Sequence, residues 1–285
     1  MKQFNNITII GVGLIGGSIG LGIKRKHLAN KVIGVFRRKS TLDKALARKA
    51  VDAGSMTIKD GVKDADLIIL ATPVHLIPGM AEEAMKYAKK GVIITDAGST
   101  KKWIVDKIEK IVPHSKFFVG SHPMAGSEHK SVEFAVSDLM EGSPCIITKT
   151  RNTDKTAMAK LVKFWKAMGA QVKVMSPEEH DVSVAMISHL PHLVAFSLAG
   201  AVPIKDLSLA AEGFKDTTRV ASSDPELWAD IFLSNSSRLI KSGRTFERYY
   251  KKLIKALSKK DHGGVVRLLK SAKSKRDKFV YGKNS

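Results

Sequence analysis

Cysteine is almost missing from this chain. The single thiol, Cys145, excludes an intramolecular disulfide framework and a cysteine-based zinc site. That agrees with a reducing compartment, and redox chemistry here has to be borrowed from a cofactor. Acids are scarce as well: 27 Asp and Glu against 48 Lys and Arg leave a net charge of +21 and a pI near 9.9. Such a balance favours anionic partners, whether nucleic acid, phosphorylated cofactors or polycarboxylate substrates. The N-terminus enters a strand pattern at once, without the apolar segment and cleavage site of a signal peptide, so a cytoplasmic location is expected. No internal repeat or low-complexity segment stands out. What is present is 44% apolar residues over 285 positions, enough for roughly two domains of about 100–200 residues each.

The acid shortage is concentrated. From 237 to 285 only Glu247, Asp261 and Asp277 oppose a run of Lys and Arg. An apolar period persists there through Leu253, Ile254, Leu257, Val265, Val266, Leu268 and Leu269, which predicts helices with solvated lysine faces rather than a nucleic-acid surface. Residues 182–204 carry no charged side chain of the Asp, Glu, Lys or Arg type and are long enough to cross a bilayer. Ser188, His189, Pro191, His192 and Ser197 inside this stretch favour instead a buried helix lining a site. It is too apolar for a short helical domain to hide alone, which points to a homodimer built by the helical half.

The first half alternates short β-branched runs with longer amphipathic stretches, the pattern of an α/β doubly wound parallel sheet. Strands are predicted at 7–10, 32–36, 67–71, 92–95, 117–120, 145–148 and 172–175. Helices are predicted at 16–27, 41–49, 77–88 and 101–111. At Ser176-Pro177-Glu178-Glu179-His180 the grammar changes to a helix start, with serine at the N-cap and proline at the first helical position. The remainder reads as all-helical. The expected division is a dinucleotide-binding domain over 1–175 and a helical domain over 176–285.

The strongest local signal is a GxGxxG that leaves the first strand and opens a helix. Gly11 permits the tight turn, Gly13 lets the backbone approach a pyrophosphate, and Gly16 allows close helix–strand packing. The first helical N–H groups, on Leu14 and Ile15, then face the phosphates. A second strand that feeds an NAD site usually ends in an acid that binds the adenosine ribose. Here Val35-Phe36-Arg37-Arg38 stands instead, and Arg37 and Arg38 suit a 2′-phosphate. Thr72-Pro73 and the segment Asp96 to Lys101 follow strands, so both lie at the carboxyl ends where ligands bind in open α/β sheets. His122, fixed before Pro123 at the end of another strand, is placed to act on a substrate beside a nicotinamide.

Taken together, GVGLIGGS at 11–18, ATP at 71–73, DAGSTK at 96–101, SHPMAGSE at 121–128, SHLPH at 188–192 and FKDTTRVASSDPELWADIFLSN at 214–235 resemble the prephenate/arogenate dehydrogenases of tyrosine biosynthesis. The six blocks occur in order and span nearly the whole chain. The resemblance implies an N-terminal Rossmann-type domain followed by an all-α dimerisation and substrate domain. It implies oxidative decarboxylation of prephenate to 4-hydroxyphenylpyruvate, or of arogenate to tyrosine, by hydride transfer to NAD(P). His122 matches the catalytic histidine that accepts the proton of the ring hydroxyl, and Ser99 a serine that orients it. His192 and Arg219 match residues lining the substrate site, Arg219 as a carboxylate binder, and Glu128 an acid near the mouth.

Members of the family often carry an acid at the end of the second strand. Its replacement by Phe36 favours NADP over NAD. No metal is suggested, and no appended regulatory or mutase domain is expected after the helices. Two alternatives stand beside this reading. One is another NAD(P)-dependent dehydrogenase of the β-hydroxyacid dehydrogenase or imine reductase type. The other is a dinucleotide-sensing or nucleic-acid-binding protein that uses the basic tail. Neither explains SHPMAGSE and SHLPH together.

Overall fold

The computed structural model describes residues 3–126 and 130–281. Its first strand, β1 (Phe4–Ile10), shows why a parallel sheet forms: the last four residues are all buried, as expected of a strand covered on both faces. Ile7 and Ile9 enter the core on one face and Ile10 the core on the other. After β1 come α1 (Leu14–Arg25), β2 (Ala29–Val35), α2 (Lys39–Ala47), β3 (Ala53–Ser55), α3 (Ile58–Val62), β4 (Leu67–Leu70), α4 (Ile77–Tyr87), β5 (Ile93–Asp96), α5 (Lys102–Ile108) and β6 (Phe117–Phe118). The strands form one six-stranded sheet in the order β3-β2-β1-β4-β5-β6, and every pair is parallel. This is the Rossmann order, and its switch point lies between β1 and β4. There Ala71 N–H donates to the Ile10 carbonyl at 2.8 Å, which sets the glycine loop beside the Ala71-Thr72 segment.

The sequence pattern missed β3 and α3, which are only three and five residues long. It also carried the strand at 117 two residues too far and missed the short strand that follows it. The run predicted at 117–120 leaves the large sheet after Phe118, and β7 (Ser121–Pro123) belongs to a second sheet with β8 (Pro144–Thr148) and β9 (Gln171–Met175). β7 runs antiparallel to β8, with His122 opposite Ile146. The turn happens at Gly120, whose carbonyl accepts from Thr148 N–H at 2.8 Å. A Cβ at Gly120 would stand 2.5 Å from Thr148 Oγ1, so only glycine permits the approach. Between β8 and β9 runs α6 (Lys155–Ala167), also unpredicted; Asp154 caps it and Leu161, Phe164 and Trp165 are buried beneath it.

From residue 177 the chain is helical, as expected. α7 (Pro177–Val184) continues through a single π-helical turn, 185–189, into α8 (Leu190–Ala201); α9 (Glu212–Thr218) and α10 (Pro225–Ser234) follow. α10 lays Trp228 and Ile231 into the core that contains Ile68, Leu70 and Ile77. By internal contacts the chain forms two compact units, 1–236 and 237–285. In the second, α11 (Ser236–Ser258) and α12 (His262–Tyr281) are joined by a bond from the Tyr249 hydroxyl to the Leu268 carbonyl, 2.7 Å. The continuous helix from Pro177 to Ala201 is long and apolar enough to cross a membrane by length and composition alone. The expectation that it is buried holds for one face only: His180, Val184, His189 and Ala195 point inward, while Val182 and Ile187 are 57% and 64% exposed.

The fit of α1 on the sheet can be tested away from the glycine loop. Alanine at Gly20 favours a helix by about 1 kcal/mol. Its Cβ, however, would stand 2.1 Å from the Ala50 carbonyl oxygen, a backbone atom that cannot rotate aside. Overpacking costs about 1–3 kcal/mol, and the steric term dominates at this distance. Gly20→Ala is expected to lower Tm by roughly 2–8 °C, measured by thermal unfolding. A raised Tm would show that α1 can slide.

Candidate active site

The glycine loop is built as a phosphate cradle. Gly11 has φ +91°, and a Cβ there would meet the Ala71 carbonyl at 2.7 Å; a Cβ on Gly16 would meet the Gly11 carbonyl at 2.1 Å. A Cβ on Gly13 would meet the Lys130 carbonyl at 2.9 Å. That same carbonyl accepts from Leu14 N–H at 2.8 Å, so this N–H is engaged rather than open. Among the described residues no acceptor meets the Ile15 N–H. Beside the loop Thr72 is half-buried, and its Oγ1 is a buried polar atom without a partner among the described residues. Pro73 next to it is exposed. An orphaned hydroxyl beside a cradle that side chains would fill fits a dinucleotide pyrophosphate.

At the end of β2, Phe36 turns its ring into the core, against Gly34 and Gly54. Arg37 and Arg38 are exposed, and among the described residues neither has an acid partner.

His122 sits buried in β7 at one end of a chain of imidazoles. Its Nδ1 lies 2.8 Å from His180 Nε2, and His180 Nδ1 lies 2.7 Å from Asp181 Oδ1. Asp181 is an acceptor only, so His180 carries its proton on Nδ1 and presents a lone pair at Nε2. His122 Nδ1 must then be the donor, and among the described residues no hydrogen-bond partner meets Nε2 of His122. Asp181 is held in turn by the N–H groups of Lys101 (2.7 Å) and Lys102 (3.0 Å) at the start of α5, where the helix dipole favours an anion. Burial pushes the Asp181 carboxyl up, but the His180 bond and charge and these two N–H groups hold it below its usual value. Burial, then the neighbouring His180, Lys101 and His189, hold His122 well below the usual histidine range. It is therefore neutral near pH 7.

Lys101 closes the arrangement from below. It is fully buried, its Nζ paired with Asp96 and bonded to the Ser121 carbonyl at 2.9 Å. Asp96 also accepts the N–H of Ser121 (3.2 Å) and of Gly98 (2.9 Å), so β5 fixes the residue preceding His122. Burial holds the Lys101 ammonium below its ordinary value against the pull of Asp96.

The helical segment delivers the rest of the site through local geometry. Ser176 and Glu179 form a reciprocal capping box, and this cap, with Pro177 behind it, sets the rotation that turns His180 and Asp181 inward. Further on, Pro191 has no N–H to give the Ile187 carbonyl, and its ring clashes with that group in α geometry. The wider π turn at 185–189 relieves this and places His189, not Ser188, on the inner face. Asn235 donates to the Asp181 carbonyl at 2.8 Å and approaches His189 Nδ1 at 3.4 Å. Burial lowers His189 to about 4, with the Ser99 backbone beside it acting the other way. His192 is half-buried, stacked on Trp228 at 3.5 Å between centroids, and its Nδ1 donates to the Ser188 carbonyl at 2.9 Å. Arg219 is exposed in the turn after α9 and has no acid partner among the described residues. Its charge, after burial, helps keep His192 below the usual histidine value.

The predicted residues thus fall into connected places. His122 reaches Asp181 through His180, and Ser99 joins the same network through His189 and Asn235. Ser99 is half-buried and makes no hydrogen bond to His122 among the described residues. Glu128 lies outside the described residues. Sequence reasoning placed His189 on a site-lining helix without giving it a role, and passed over His180, Asp181, Asn235, Trp228 and the structural role of Lys101. All but Asp181, which directly follows the helix-start signature, lay inside quoted motifs or that signature, but nothing in one dimension indicates that His180 meets a residue 58 positions earlier.

A Rossmann sheet with a glycine cradle at its switch point, and a neutral histidine with one bare nitrogen in the adjoining sheet, define an NAD(P)-dependent dehydrogenase. Comparison with known proteins gives the family. A family model described as prephenate dehydrogenase, nucleotide-binding domain, matches residues 19–174, and one described as prephenate dehydrogenase, dimerization domain, matches 176–271. The chain is 37% identical to prephenate dehydrogenase of Bacillus subtilis (strain 168), over 97% of this chain and 77% of that protein. Its structure is similar to that of prephenate dehydrogenase from Aquifex aeolicus in complex with hydroxyphenyl propionate and NAD+, with a TM-score of 0.89, 33% identity, and 96% and 98% of the two chains covered. It is similar also to Synechocystis arogenate dehydrogenase, with a TM-score of 0.81, 31% identity, and 96% and 100% covered. The chain belongs to the prephenate dehydrogenase family.

The buried histidines make stability depend on pH. His122, His180, His189 and His192 are all held below 6.5, so from about pH 6.5 downward the unfolded chain binds protons that the folded chain refuses. Stability is full above that value and falls as pH drops toward the folded value, near 4 for His189. His189 alone corresponds to a loss of about 2 kcal/mol between pH 7 and pH 5. Urea midpoints at these two pH values should differ accordingly. Equal midpoints would mean that the rings are hydrated and titrate normally.

Proposed function

We propose that this chain oxidatively decarboxylates prephenate or arogenate with NAD(P), using His122 as the base. The observation that carries the reading is the bare Nε2 of a neutral His122, fixed by the His180–Asp181 chain. Prephenate and arogenate share a cyclohexadienol ring, its hydroxyl and its ring carboxylate, so the same residues serve either. His122 Nε2 takes the hydroxyl proton while the carbinol carbon gives up hydride. The ketone that forms loses CO2, and aromatisation drives the step. A bound nicotinamide supplies the hydride acceptor, and the cradle of Gly11, Gly13 and Gly16 with Thr72 would hold its pyrophosphate. Arg219 suits a substrate carboxylate: it is cationic, exposed and without an acid partner among the described residues, and its charge reaches His192. Ser99 supports the ring hydroxyl from the loop that follows β5.

A homodimer formed by the helical half belongs to the same reading. Residues 176–271 match a dimerization domain, and the outer face of 177–201 is apolar and exposed in the single chain.

His122→Asn should lower kcat by about two to four orders of magnitude with dinucleotide affinity retained. Arg219→Ala should instead raise KM for the anionic substrate and leave kcat nearly unchanged. A steady-state assay of prephenate and arogenate, each with NAD and NADP, measures both variants. Near-normal turnover in the first variant would remove His122 from its role.

The cofactor is read as NADP. No acid at the end of β2 repels a 2′-phosphate, and Arg37 and Arg38 are open to bind one. Charge-assisted bonds of this kind contribute about 1.5–3 kcal/mol each, and about 1.4 kcal/mol is a factor of ten. kcat/KM for NADP is expected to exceed that for NAD by at least about tenfold. Because Phe36 is part of the core, the informative variant is Arg37→Ser with Arg38→Ser, which should bring the ratio toward one. Equal use of both cofactors by the unaltered protein would show that the arginines point to solvent.

A further inference from the structure

Resting on His122 as the base, we propose that His180 and Asp181 are positioning residues that take the proton onward. As His122 Nε2 accepts the hydroxyl proton, the Nδ1 proton of His122 passes to His180 Nε2, and the resulting imidazolium rests against the Asp181 carboxylate. No co-reactant is needed: one N–H bond breaks at His122 Nδ1 and one forms at His180 Nε2. The reverse transfer restores His122 when product leaves.

Three observations support the relay. The contacts are short and in series, 2.8 Å and then 2.7 Å, and the two rings meet edge-on at 63° rather than stacked. Asp181 is immobilised by two backbone N–H groups from α5, so the acceptor for His180 Nδ1–H is fixed and the ring cannot turn away without losing that bond. The surroundings also favour the second ring over the first as the seat of the charge. His122 faces Lys101 from the start of α5, His180 from α7 and His189 from the π turn, all of which oppose a positive charge. His180 faces Lys101 too, but Asp181 bonds to it directly and Asp96 adds to the attraction. Cys145 on β8 remains a neutral thiol, since burial pushes it far up.

His180→Gln separates the relay from a purely structural contact. Its amide can still accept from His122 Nδ1–H and donate to Asp181, but it cannot hold the proton. The expected result is a fall in kcat of about 10²-fold, with KM and dinucleotide affinity within about twofold of the unaltered protein. The acid limb of the kcat profile should also move to higher pH, because a like-charged neighbour has been removed. Asp181→Asn should cost more, as in Ser-His-Asp triads, where the same change traps the wrong tautomer at a cost of about 10⁴. Should that variant fail to fold, ¹⁵N-histidine NMR of the unaltered protein gives an independent check: His122 must appear as the Nδ1–H tautomer. A His122 protonated on Nε2, or a His180→Gln protein with unchanged kcat and unchanged acid limb, overturns the relay. If His122→Asn lowers kcat as expected in the same assay while His180→Gln leaves kcat and its acid limb unchanged, the relay alone fails. Should His122→Asn keep its turnover, the base assignment fails with it.

Discussion

Asp181 accepts three hydrogen bonds in a place without solvent, and the geometry of the site follows from them. Two come from the first N–H groups of α5 and one from His180. A buried carboxylate is costly unless its lone pairs are met. Here they are met by a helix terminus, whose orphan donors need an acceptor in any case. Two deficits therefore cancel. Because the donors are backbone atoms of the segment that also carries Ser99, the position of α7 is tied to the active loop of the sheet. The capping box at Ser176 fixes the rotation of α7, so the same turn that binds α5 also aims His180. Asn235 adds a tie from the end of α10 to the Asp181 carbonyl.

Lys101 acts from the other side. Its N–H holds Asp181, while its ammonium holds Asp96 and the Ser121 carbonyl, so one residue fixes both the far end of the relay and the backbone next to the base. Removing one member of such a buried pair leaves an uncompensated charge, a loss of about 3–5 kcal/mol. The pair also sets a field. With Lys101 and Asp96 nearly cancelling, Asp181 is the excess charge among these residues, and it lies against His180. A proton arriving at the site neutralises that excess when it rests on His180, which is why a base as deeply buried as His122 can still accept one.

Much of the fold was legible because its signals are local. The strand–glycine–helix passage at 7–18, the alternation that follows it and the Ser-Pro-Glu-Glu cap at 176–179 are each complete within a dozen residues. The strands at 145–148 and 172–175 were legible, but that they form a second sheet was not, since β7 is three residues long and its partner begins 21 positions after it ends. The strand expected at 117–120 stops at Phe118, and a new one starts at Ser121, because Gly120 permits a turn that its contact with Thr148 explains. The site divided in the same way. His122 announces itself through HPMAG, but its support comes from His180 and Asp181, which in sequence read as the ordinary continuation of a helix start. Pro191 carried a usable signal: a proline ten or more residues into an apolar helix has to distort it. The distortion is the π turn that brings His189 inward.

Charge illustrates how structure changes the weight of a sequence feature. A net charge of +21 means that at least that many basic side chains cannot each have an acid of their own. An unpaired arginine is therefore ordinary in this chain, and lack of a partner is no signal in itself. Many surface cations do find acids, as Lys24 does with Asp52 and Lys44 with Glu133, and such exposed pairs contribute little. What distinguishes Arg37, Arg38 and Arg219 is position. The first two stand where β2 ends, at the edge that binds adenosine in this fold. The third lies in a turn packed against α8, close enough that its field is felt at His192. A cation held near a half-buried neutral ring, with no acid to neutralise it among the described residues, is an incomplete ion pair of the kind that the proposed substrate carboxylate would complete.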